Sequence, residues 1–300
     1  MEGRPKIMTQ TIAFIGLGNM GGGMAANLLA KGYAVRAFDL SADAVARAVE
    51  AGAVACESAA QAVLEADAVV TMLPAGRHVE GVYTGEIFGH ARPGTLFLDC
   101  STIDVATARK VIAAATDAGF DMVDAPVSGG IAAANGGTLT FMAGGTDAAF
   151  ARAQPILSAM GKAVIHAGDA GNGQAAKICN NMLLGATMIA TCESFAMADK
   201  LGLDAQTFYD IASVSSGQSW SMTSYCPVPG VGPASPADNG YQGGFAVALM
   251  LKDLKLANEA AALVNASVPM GANALALYQL LANQGKGGRD FSAVIELLEK

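Results

Sequence analysis

Three glycines near the start of the chain restrict its fold more than any other feature of the sequence. The segment Gly16, Leu17, Gly18, Asn19, Met20 and Gly21 has the pattern G-x-G-x-x-G and directly follows the apolar run TIAFI. An alanine-rich stretch of helical length begins at Gly21. A buried strand, a tight glycine turn and a helix in this order are typical of the first unit of a parallel sheet covered by helices.

The same alternation of short apolar runs and alanine-rich segments continues to about residue 166. Short β-branched runs predict strands, and the segments between them predict helices. The sequence therefore predicts an α/β Rossmann-type doubly wound sheet over residues 1–171. The predicted strands are 11–15, 34–39, 68–73, 95–99, 122–127, 138–144 and 163–168.

After Gly173 the strand signals end and apolar residues recur at helical spacing. An all-α C-terminal domain is therefore predicted for residues 172–300. The segment 215–244 is rich in Pro, Gly and Ser and holds the single tryptophan, Trp220. Loops of this length are uncommon in compact proteins and are usually functional or mobile. The predicted helices are 174–201, 204–213, 245–265, 270–284 and 292–298.

Composition argues against several classes of protein. The chain has 18 Lys and Arg against 26 Asp and Glu, a net charge of -8, which disfavours nucleic acid and anionic membrane surfaces as partners. Five widely spaced cysteines without a C-x-x-C pair predict neither a disulfide framework nor a zinc knuckle. Residues 1–10 lack the apolar core of a secretion signal. We therefore expect a cytoplasmic protein, with a processed mitochondrial matrix chain as the alternative.

Common hydrolase and membrane signatures are also missing from the sequence. The three histidines are far apart and none has metal-ligand spacing, so no metal site is predicted. No G-x-S-x-G motif of a serine hydrolase occurs. The longest apolar stretch, 178–192, is too short to span a bilayer and predicts a buried helix.

The glycine turn and an acidic residue further along predict a dinucleotide site. Gly16 permits the tight turn, Gly18 lets the backbone approach a pyrophosphate, and Gly21 allows close packing of helix on strand. Asp39 ends the second predicted strand and would accept hydrogen bonds from ribose hydroxyls. A 2'-phosphate ~4 Å away would be repelled by roughly 4 kcal/mol per charge pair at an effective dielectric of ~20. NAD is therefore expected rather than NADP; the alternative is that the glycines only pack a helix against a sheet.

Lys177 and Asn181 are the candidate catalytic pair. Lys177 stands alone in an apolar run, and a helix beginning near Gln174 would place it in the first turn, where the macrodipole lowers a lysine pKa. Asn181 follows four residues later and would emerge on the same helical face. Such a pair could take a proton from a hydroxyl group and hold that hydroxyl. The alternative is a surface lysine and an asparagine bonded to backbone.

A second candidate lies after the strand predicted at 122–127. Ser128, Gly129 and Gly130 combine a hydroxyl with unhindered backbone N–H groups, which suits a carboxylate. An ordinary turn with a capping serine is equally consistent with these residues. Likewise, Lys252 and Asp253 could belong to a solvated helix face.

The motifs together resemble the β-hydroxyacid dehydrogenase family over residues 11–298. The resemblance is carried by IGLGNMGGGMAANL, MLP, DCSTID, DAPVSGG, GTLTFMAGG, GNGQAAKICNNML, YCPVPGV, YQGGF and LMLKDLKLA. It implies a Rossmann domain followed by a helical domain for substrate binding and dimerisation, with the substrate in the cleft between them.

The resemblance also implies a role for individual residues. Lys177 would be the catalytic acid/base, and Asn181 would orient the substrate. The substrate carboxylate would bind at Ser128, Gly129 and Gly130. Trp220 and Phe245 would line the substrate site. Further cofactor contacts would come from Leu73, Pro74, Thr102 and Lys252.

The expected reaction is hydride transfer from a small 3-hydroxy acid to NAD. The resemblance implies 3-hydroxyisobutyrate, as in valine catabolism, as the first expectation, and the alternatives are L-serine and 3-hydroxypropionate. A catalytically silent NAD-binding sensor is a further alternative, and Asp39 disfavours an NADPH-dependent imine reductase. A homodimer or homotetramer is expected.

Overall fold

The computed structural model describes residues 10–298, which form two compact units that divide between Lys177 and Ile178. One helix, Asn172–Lys200, continues through this division. The predicted domain boundary at 171/172 falls where that helix begins. The predicted lack of a secretion signal concerns residues that lie almost wholly outside the described range.

The first unit contains a nine-stranded sheet with the predicted α/β architecture. The strand order is β3-β2-β1-β4-β5-β6-β8-β7, and β9 pairs with β8. Pairing is parallel except where β8 runs antiparallel to β6 and β7. The strands are β1 (Thr11–Ile15), β2 (Ala34–Phe38), β3 (Val54–Ala55), β4 (Ala68–Thr71), β5 (Leu96–Asp99), β6 (Asp121–Asp124), β7 (Val127–Ser128), β8 (Leu139–Gly144) and β9 (Gly161–Gly168).

Helices cover both faces of this sheet, as a doubly wound fold requires. Side chains alternate along β1, so that Ile12 and Phe14 lie in one buried cluster and Ala13 and Ile15 in the other. A sheet buried on both faces needs strands that are apolar at every position, which is why these strands read as continuous runs. The helices of this unit are α1 (Gly21–Ala30), α2 (Ala42–Glu50), α3 (Ala59–Val63), α4 (Gly76–Val82), α5 (Val105–Asp117), α6 (Gly130–Asn135) and α7 (Asp147–Met160), with a π-helical turn at Tyr83–Ile87.

The structure differs from the predicted strands in two places. The run 122–127 forms two strands, β6 and β7, separated by Ala125 and Pro126. Proline has no N–H to donate, so it interrupts a strand ladder. The two-residue strand β3 was missed because Val54 and Ala55 are exposed and form no apolar pattern.

From Ile178 onward the described elements are helical, as predicted. Their core is formed by the helices Asn172–Lys200, Val247–Leu263 and Pro269–Leu281 and a C-terminal 3₁₀ helix, and includes Met188, Leu254, Tyr278 and Phe291. The predicted helix at 292–298 is this 3₁₀ helix. The elements are α8 (Asn172–Lys200), α9 (Ala205–Ala212), α10 (Trp220–Thr223), α11 (Val247–Leu263) and α12 (Pro269–Leu281), with 3₁₀ helices at Pro236–Asn239 and Phe291–Leu297 and a π-helical turn at Ala282–Lys286.

The segment 215–244 is more ordered than its composition suggests. Tyr241 Oη donates to the carbonyl of Pro227 at 2.9 Å, and Ser235 Oγ donates to the carbonyl of Cys226 at 2.8 Å. Asp238 accepts from the backbone N–H groups of Gly230 and Ser235. The loop therefore has a defined conformation.

No helix within residues 10–298 is long and apolar enough to cross a membrane.

Candidate active site

The carboxyl ends of neighbouring parallel strands bring the predicted cofactor residues to one edge of the sheet. The order of strands reverses between β1 and β4, and ligands of open α/β sheets bind at the carboxyl ends beside such a reversal. The glycine turn follows β1, Asp39 follows β2, Leu73 and Pro74 follow β4, and Thr102 follows β5.

The glycine turn has the geometry that the sequence predicts. Gly16 has φ +93°, and a Cβ there would collide with the carbonyl of Met72. A Cβ at Gly21 would collide with the carbonyl of Gly16. At Gly18, which is exposed, a Cβ would meet nothing within 4 Å, so the backbone is open to a ligand on that side.

The start of α1 suits a bound pyrophosphate. Its N-cap residue is Met20, which makes no side-chain cap, and its first turn has no acidic residue. Free N–H groups and the partial positive charge of a helix N-terminus favour phosphate oxygens. The residues present therefore fit a dinucleotide.

Asp39 has a structural role that the sequence did not reveal. Its Oδ2 accepts from the N–H of Leu17 at 2.6 Å, and its Oδ1 accepts from the N–H of Ser41 at 2.7 Å. The carboxylate thus ties the glycine turn to the end of β2. Each carboxylate oxygen has a further lone pair, which is compatible with the predicted bonds to ribose hydroxyls.

A buried hydrogen-bond network supports the segment after β4. Ser101 Oγ accepts from the N–H of Leu73 at 2.8 Å and donates to Asp99 Oδ1 at 2.5 Å. Thr71 Oγ1 donates to the same oxygen at 2.7 Å and lies 3.0 Å from Tyr83 Oη. Leu73 is therefore held in place, and its side chain lies beside Gly16.

The carboxyl group of Asp99 has a perturbed pKa. Burial raises the pKa of Asp99 from its ordinary value of 3.8 to about 6, and the hydrogen bonds from Ser101 and Thr71 oppose this rise. The carboxylate therefore titrates close to neutral pH at the carboxyl end of β5.

Asp124, at the end of β6, anchors the start of α8. Its Oδ1 accepts from the N–H of Gly171 at 2.7 Å, and its Oδ2 accepts from the N–H of Gln174 at 2.8 Å. Burial raises the pKa of Asp124 to about 6, against the effect of these two bonds. Only glycine fits at 173, where a Cβ would lie 2.7 Å from the carbonyl oxygen of Asp124.

Gln174 adds a second link between the first turn of α8 and the sheet. Its Nε2 donates to the carbonyl of Ser101 at 2.7 Å, and its Oε1 accepts from the N–H of Ile103 at 3.1 Å. Gln174 is fully buried, so both ends of its amide are satisfied inside the protein.

Lys177 lies further along α8 than the sequence predicted. Because α8 begins at Asn172, Lys177 lies on its second turn rather than its first. The helix dipole acts mainly within the first turn, so the predicted effect on the lysine is smaller than the sequence suggested. Lys177 is only 6% exposed, which excludes the surface-lysine alternative.

Asn181 follows one turn after Lys177 and is held by Asp253. Asn181 Nδ2 donates to Asp253 Oδ2 at 2.6 Å, and its Oδ1 accepts from Asn180 Nδ2 at 3.0 Å. Asp253 is buried on α11, with its Oδ1 3.6 Å from Lys252 Nζ. Asn181 is thus bound by side chains and not by backbone, and Asp253 does not lie on a solvated face.

The turn at Ser128, Gly129 and Gly130 leads into α6, which is hydrogen-bonded to α1, the helix that follows the glycine turn. Gly129 and Gly130 both have positive φ, +135° and +71°, at the start of α6. A Cβ at Gly130 would meet nothing within 4 Å, so the backbone there is accessible. Asn27 of α1 donates from Nδ2 to the carbonyl of Ala134 in α6 at 2.7 Å.

Trp220 and Phe245 belong to one aromatic cluster. Trp220 is 51% exposed and stacks on Tyr225, with ring centroids 4.8 Å apart. The rings of Tyr225 and Phe245 both contact the ring of Phe291, with centroid distances of 5.4 Å and 5.9 Å. The two predicted substrate residues therefore share a common support.

Two family models cover nearly the whole chain. Residues 11–168 match the NAD-binding domain of 6-phosphogluconate dehydrogenase, and residues 171–298 match the NAD-binding domain of NADP-dependent 3-hydroxyisobutyrate dehydrogenase. This chain belongs to the 3-hydroxyisobutyrate dehydrogenase family. It is an NAD-dependent oxidoreductase of the β-hydroxyacid dehydrogenases, as the sequence motifs predicted.

Relatives within the family carry two substrate names. An NAD-dependent L-serine dehydrogenase of Pseudomonas aeruginosa is 51% identical over 96% of this chain and 97% of its own length. A 3-hydroxyisobutyrate dehydrogenase of the same organism is 50% identical over 95% of this chain and 97% of its own. A solved structure of Mycobacterium tuberculosis 3-hydroxyisobutyrate dehydrogenase with L-serine is 47% identical, with a TM-score of 0.95, covering 98% of this chain and 100% of that chain.

Sequence reasoning assigned no structural role to three carboxylates that organise this dehydrogenase. Asp99 and Asp124 end apolar strands, a position where a carboxylate must find buried partners. Asp253 follows Met250 by three residues and precedes Ala257 by four, which is the spacing of the buried face of α11. These patterns could have identified all three as buried, but not their partners.

We predict that Asp99→Asn is stabilised relative to the parent protein, and that this stabilisation is larger at neutral pH than at acid pH. The native pKa of about 6 exceeds the unfolded value of 3.8, so stability from this group is full below 3.8 and is lost as pH rises through 6. Asparagine keeps an acceptor oxygen for Thr71 and Ser101 but has no charge to bury. The gain in the free energy of unfolding from acid to neutral pH is about 3 kcal/mol at most, since a pKa shift of one unit corresponds to about 1.4 kcal/mol.

The measurement is the thermal midpoint of both proteins between about pH 4 and about pH 7.5. Asp43→Asn, which alters an exposed carboxylate on α2, is the control. Parallel pH profiles for Asp99→Asn and the parent would contradict the prediction.

Proposed function

We propose that this dehydrogenase oxidises 3-hydroxyisobutyrate to methylmalonate semialdehyde with NAD, as in valine catabolism. The observation that carries the proposal is the burial of Lys177 on α8, followed one turn later by Asn181 in its hydrogen bond to Asp253. A buried lysine beside an oriented amide is suited to handling a hydroxyl proton. The resemblance to the family implies the same task for these two residues.

The chemistry divides between this chain and the cofactor. NAD, when bound, supplies the acceptor for the hydride that leaves the carbinol carbon. Lys177 Nζ takes the hydroxyl proton as the carbonyl forms, and Asn181 holds the hydroxyl oxygen in line with it. The product is an aldehyde, and the proton remains on the chain until it is released to water.

Recognition of the substrate carboxylate is proposed for Ser128, Gly129 and Gly130. Gly129 and Gly130 have no side chains to shield their backbone N–H groups, and the Ser128 hydroxyl adds a further donor. The carboxyl carbon and the hydroxyl-bearing carbon of a 3-hydroxy acid are two bonds apart, so holding the carboxylate would also hold the hydroxyl-bearing carbon at a short, constant distance. Trp220 and Phe245 would contact the remaining substituent of the substrate.

For the cofactor, the proposed contacts are the glycine turn, Asp39, Leu73, Pro74, Thr102 and Lys252. NAD is preferred over NADP because the Asp39 carboxylate follows β2, where it would face a 2'-phosphate. We also propose a homodimer or homotetramer working in the cytoplasm or in a mitochondrial matrix.

L-Serine is the second candidate substrate. The relative at 51% identity is named for L-serine, and a solved relative was determined with it. L-Serine and 3-hydroxypropionate present the same carboxylate and hydroxyl as 3-hydroxyisobutyrate, so the proposed mechanism would apply to all three acids.

The test is NADH formation from NAD with each of these three acids in parallel. We expect the highest kcat/KM with 3-hydroxyisobutyrate. A higher kcat/KM with L-serine would transfer the substrate assignment to the second candidate and leave the mechanism intact. No NADH from any of them would favour the NAD-binding sensor.

Lys177→Ala should reduce kcat by roughly 10²–10⁴-fold, because general acid–base catalysis contributes about that much. Binding of NAD should change little, since the predicted cofactor residues are unaltered. Lys162→Ala, which removes an exposed lysine on β9, is the matched control. A Lys177→Ala enzyme with a near-parental kcat would rule out the acid–base role.

Asp39→Asn should lower the ratio of kcat/KM with NAD to kcat/KM with NADP by at least about tenfold, because removing the charge removes the repulsion of a 2'-phosphate. Asparagine retains one acceptor for the N–H of Leu17, so the turn should keep its shape. The control is again Asp43→Asn. An unchanged ratio would show that Asp39 does not select the cofactor.

A further inference from the structure

One buried carboxylate, that of Asp290, has more partners than its local structure requires. Asp290 is fully buried and precedes the 3₁₀ helix Phe291–Leu297. Its Oδ1 accepts from the N–H and the hydroxyl of Ser292, at 3.0 Å and 2.6 Å, which is an ordinary helix cap. This cap uses only Oδ1, so it gives no reason for the burial of Oδ2.

That other oxygen joins two distant parts of the chain. Asp290 Oδ2 accepts from Tyr225 Oη at 2.8 Å and from the N–H of Phe245 at 2.8 Å. These partners lie 65 and 45 residues earlier in the sequence. A single oxygen atom therefore fixes Tyr225 relative to the backbone at Phe245.

The backbone is built closely around this oxygen. Gly244 has φ +69°, and a Cβ there would collide with Asp290 Oδ2 and Tyr225 Oη and would lie 2.7 Å from Pro236 Cγ. Only glycine allows this approach. Burial and Asp290 raise the pKa of Tyr225 far above its ordinary value, so its hydroxyl stays protonated and donates.

The aromatic cluster carries this constraint to Trp220. Trp220 stacks on Tyr225 at an interplanar angle of 21°, so the position of the tyrosine ring determines that of the indole. Phe245 meets Phe291 edge to face at 71°, and Phe291 directly follows Asp290 in the chain. Trp220 nevertheless keeps 51% of its surface exposed, so one face can meet a ligand.

We propose that Asp290 is a positioning residue that orients Trp220 and Phe245 and thereby sets the preference among small 3-hydroxy acids. The inference rests on the proposed function, in which these two residues contact the substrate. The three candidate acids differ only in the substituent on the second carbon, which is a methyl, an ammonium or a hydrogen. An aromatic face attracts a methyl group by apolar contact and an ammonium by cation–π interaction, and both depend on its orientation.

The test variant is Tyr225→Phe, which deletes one hydrogen bond to Asp290 and keeps the ring. Trp220 is the single tryptophan, so intrinsic fluorescence reports on its position alone. We expect a shift of the emission maximum and altered quenching by acrylamide. The ratio of kcat/KM for 3-hydroxyisobutyrate to that for L-serine should change by about tenfold or more, mainly through KM, as expected for a small group in an apolar contact.

The matched control is Tyr278→Phe, which deletes a buried tyrosine hydroxyl that makes no hydrogen bond within the described residues. It should leave both the emission and the ratio unchanged. Asp290→Asn is a second test variant, because asparagine retains the size of the side chain and one acceptor oxygen. It should reproduce the changes seen in Tyr225→Phe.

Three outcomes would overturn the proposal or part of it. Emission of Tyr225→Phe identical to that of Tyr278→Phe would show that the bond to Asp290 does not position Trp220. Shifted emission with an unchanged kcat/KM ratio would show that the position of Trp220 does not set substrate preference. A parent enzyme inactive on all three acids would overturn the proposed function and the claim about preference, while the emission would still decide whether Asp290 orients Trp220.

Discussion

The attachment of α8 to the end of β6 is the interaction on which the proposed chemistry depends. Asp124 accepts two backbone N–H groups from the start of this helix, and Gln174 bonds the backbone beyond β5. Lys177 lies one turn further along the same helix. A helix is stiff over such a distance, so the lysine has a fixed position relative to the strand ends that carry the predicted cofactor residues.

Buried carboxylates hold several of the predicted site residues in place. Asp99 supports Leu73 through Ser101, Asp124 supports the helix of Lys177, Asp253 holds Asn181, and Asp290 bonds the backbone of Phe245. Burial of an ionised group opposes folding, as the raised pKa values of Asp99 and Asp124 show. Charged acceptors also make shorter and stronger hydrogen bonds than neutral ones. These carboxylates therefore lower the stability of the fold but hold the predicted site residues in defined orientations.

Much of the fold was predictable because its signals are local. The glycine turn is specified by the positive φ of Gly16 and by the close approach of Gly21 to the carbonyl of Gly16, and both glycines lie within a few residues of the strand and helix they connect. The start of α8 was misplaced by two residues, which moved Lys177 from the first turn to the second. That boundary depends on Asp124, 50 residues away from Gln174, and no local pattern shows such a bond.

Patterns in the amino-acid sequence were enough to predict the class of fold, the dinucleotide turn, the family and the candidate residues Lys177, Asn181 and Ser128. Periodicity, glycine conformation and short motifs are properties of neighbouring residues, so they can be read along the chain. The pairing of Asn181 with Asp253 and of Tyr225 with Asp290, 72 and 65 residues apart, is visible only in the folded protein. Each carboxylate could bond any donor that the fold brings near it, and packing alone selects which donor that is.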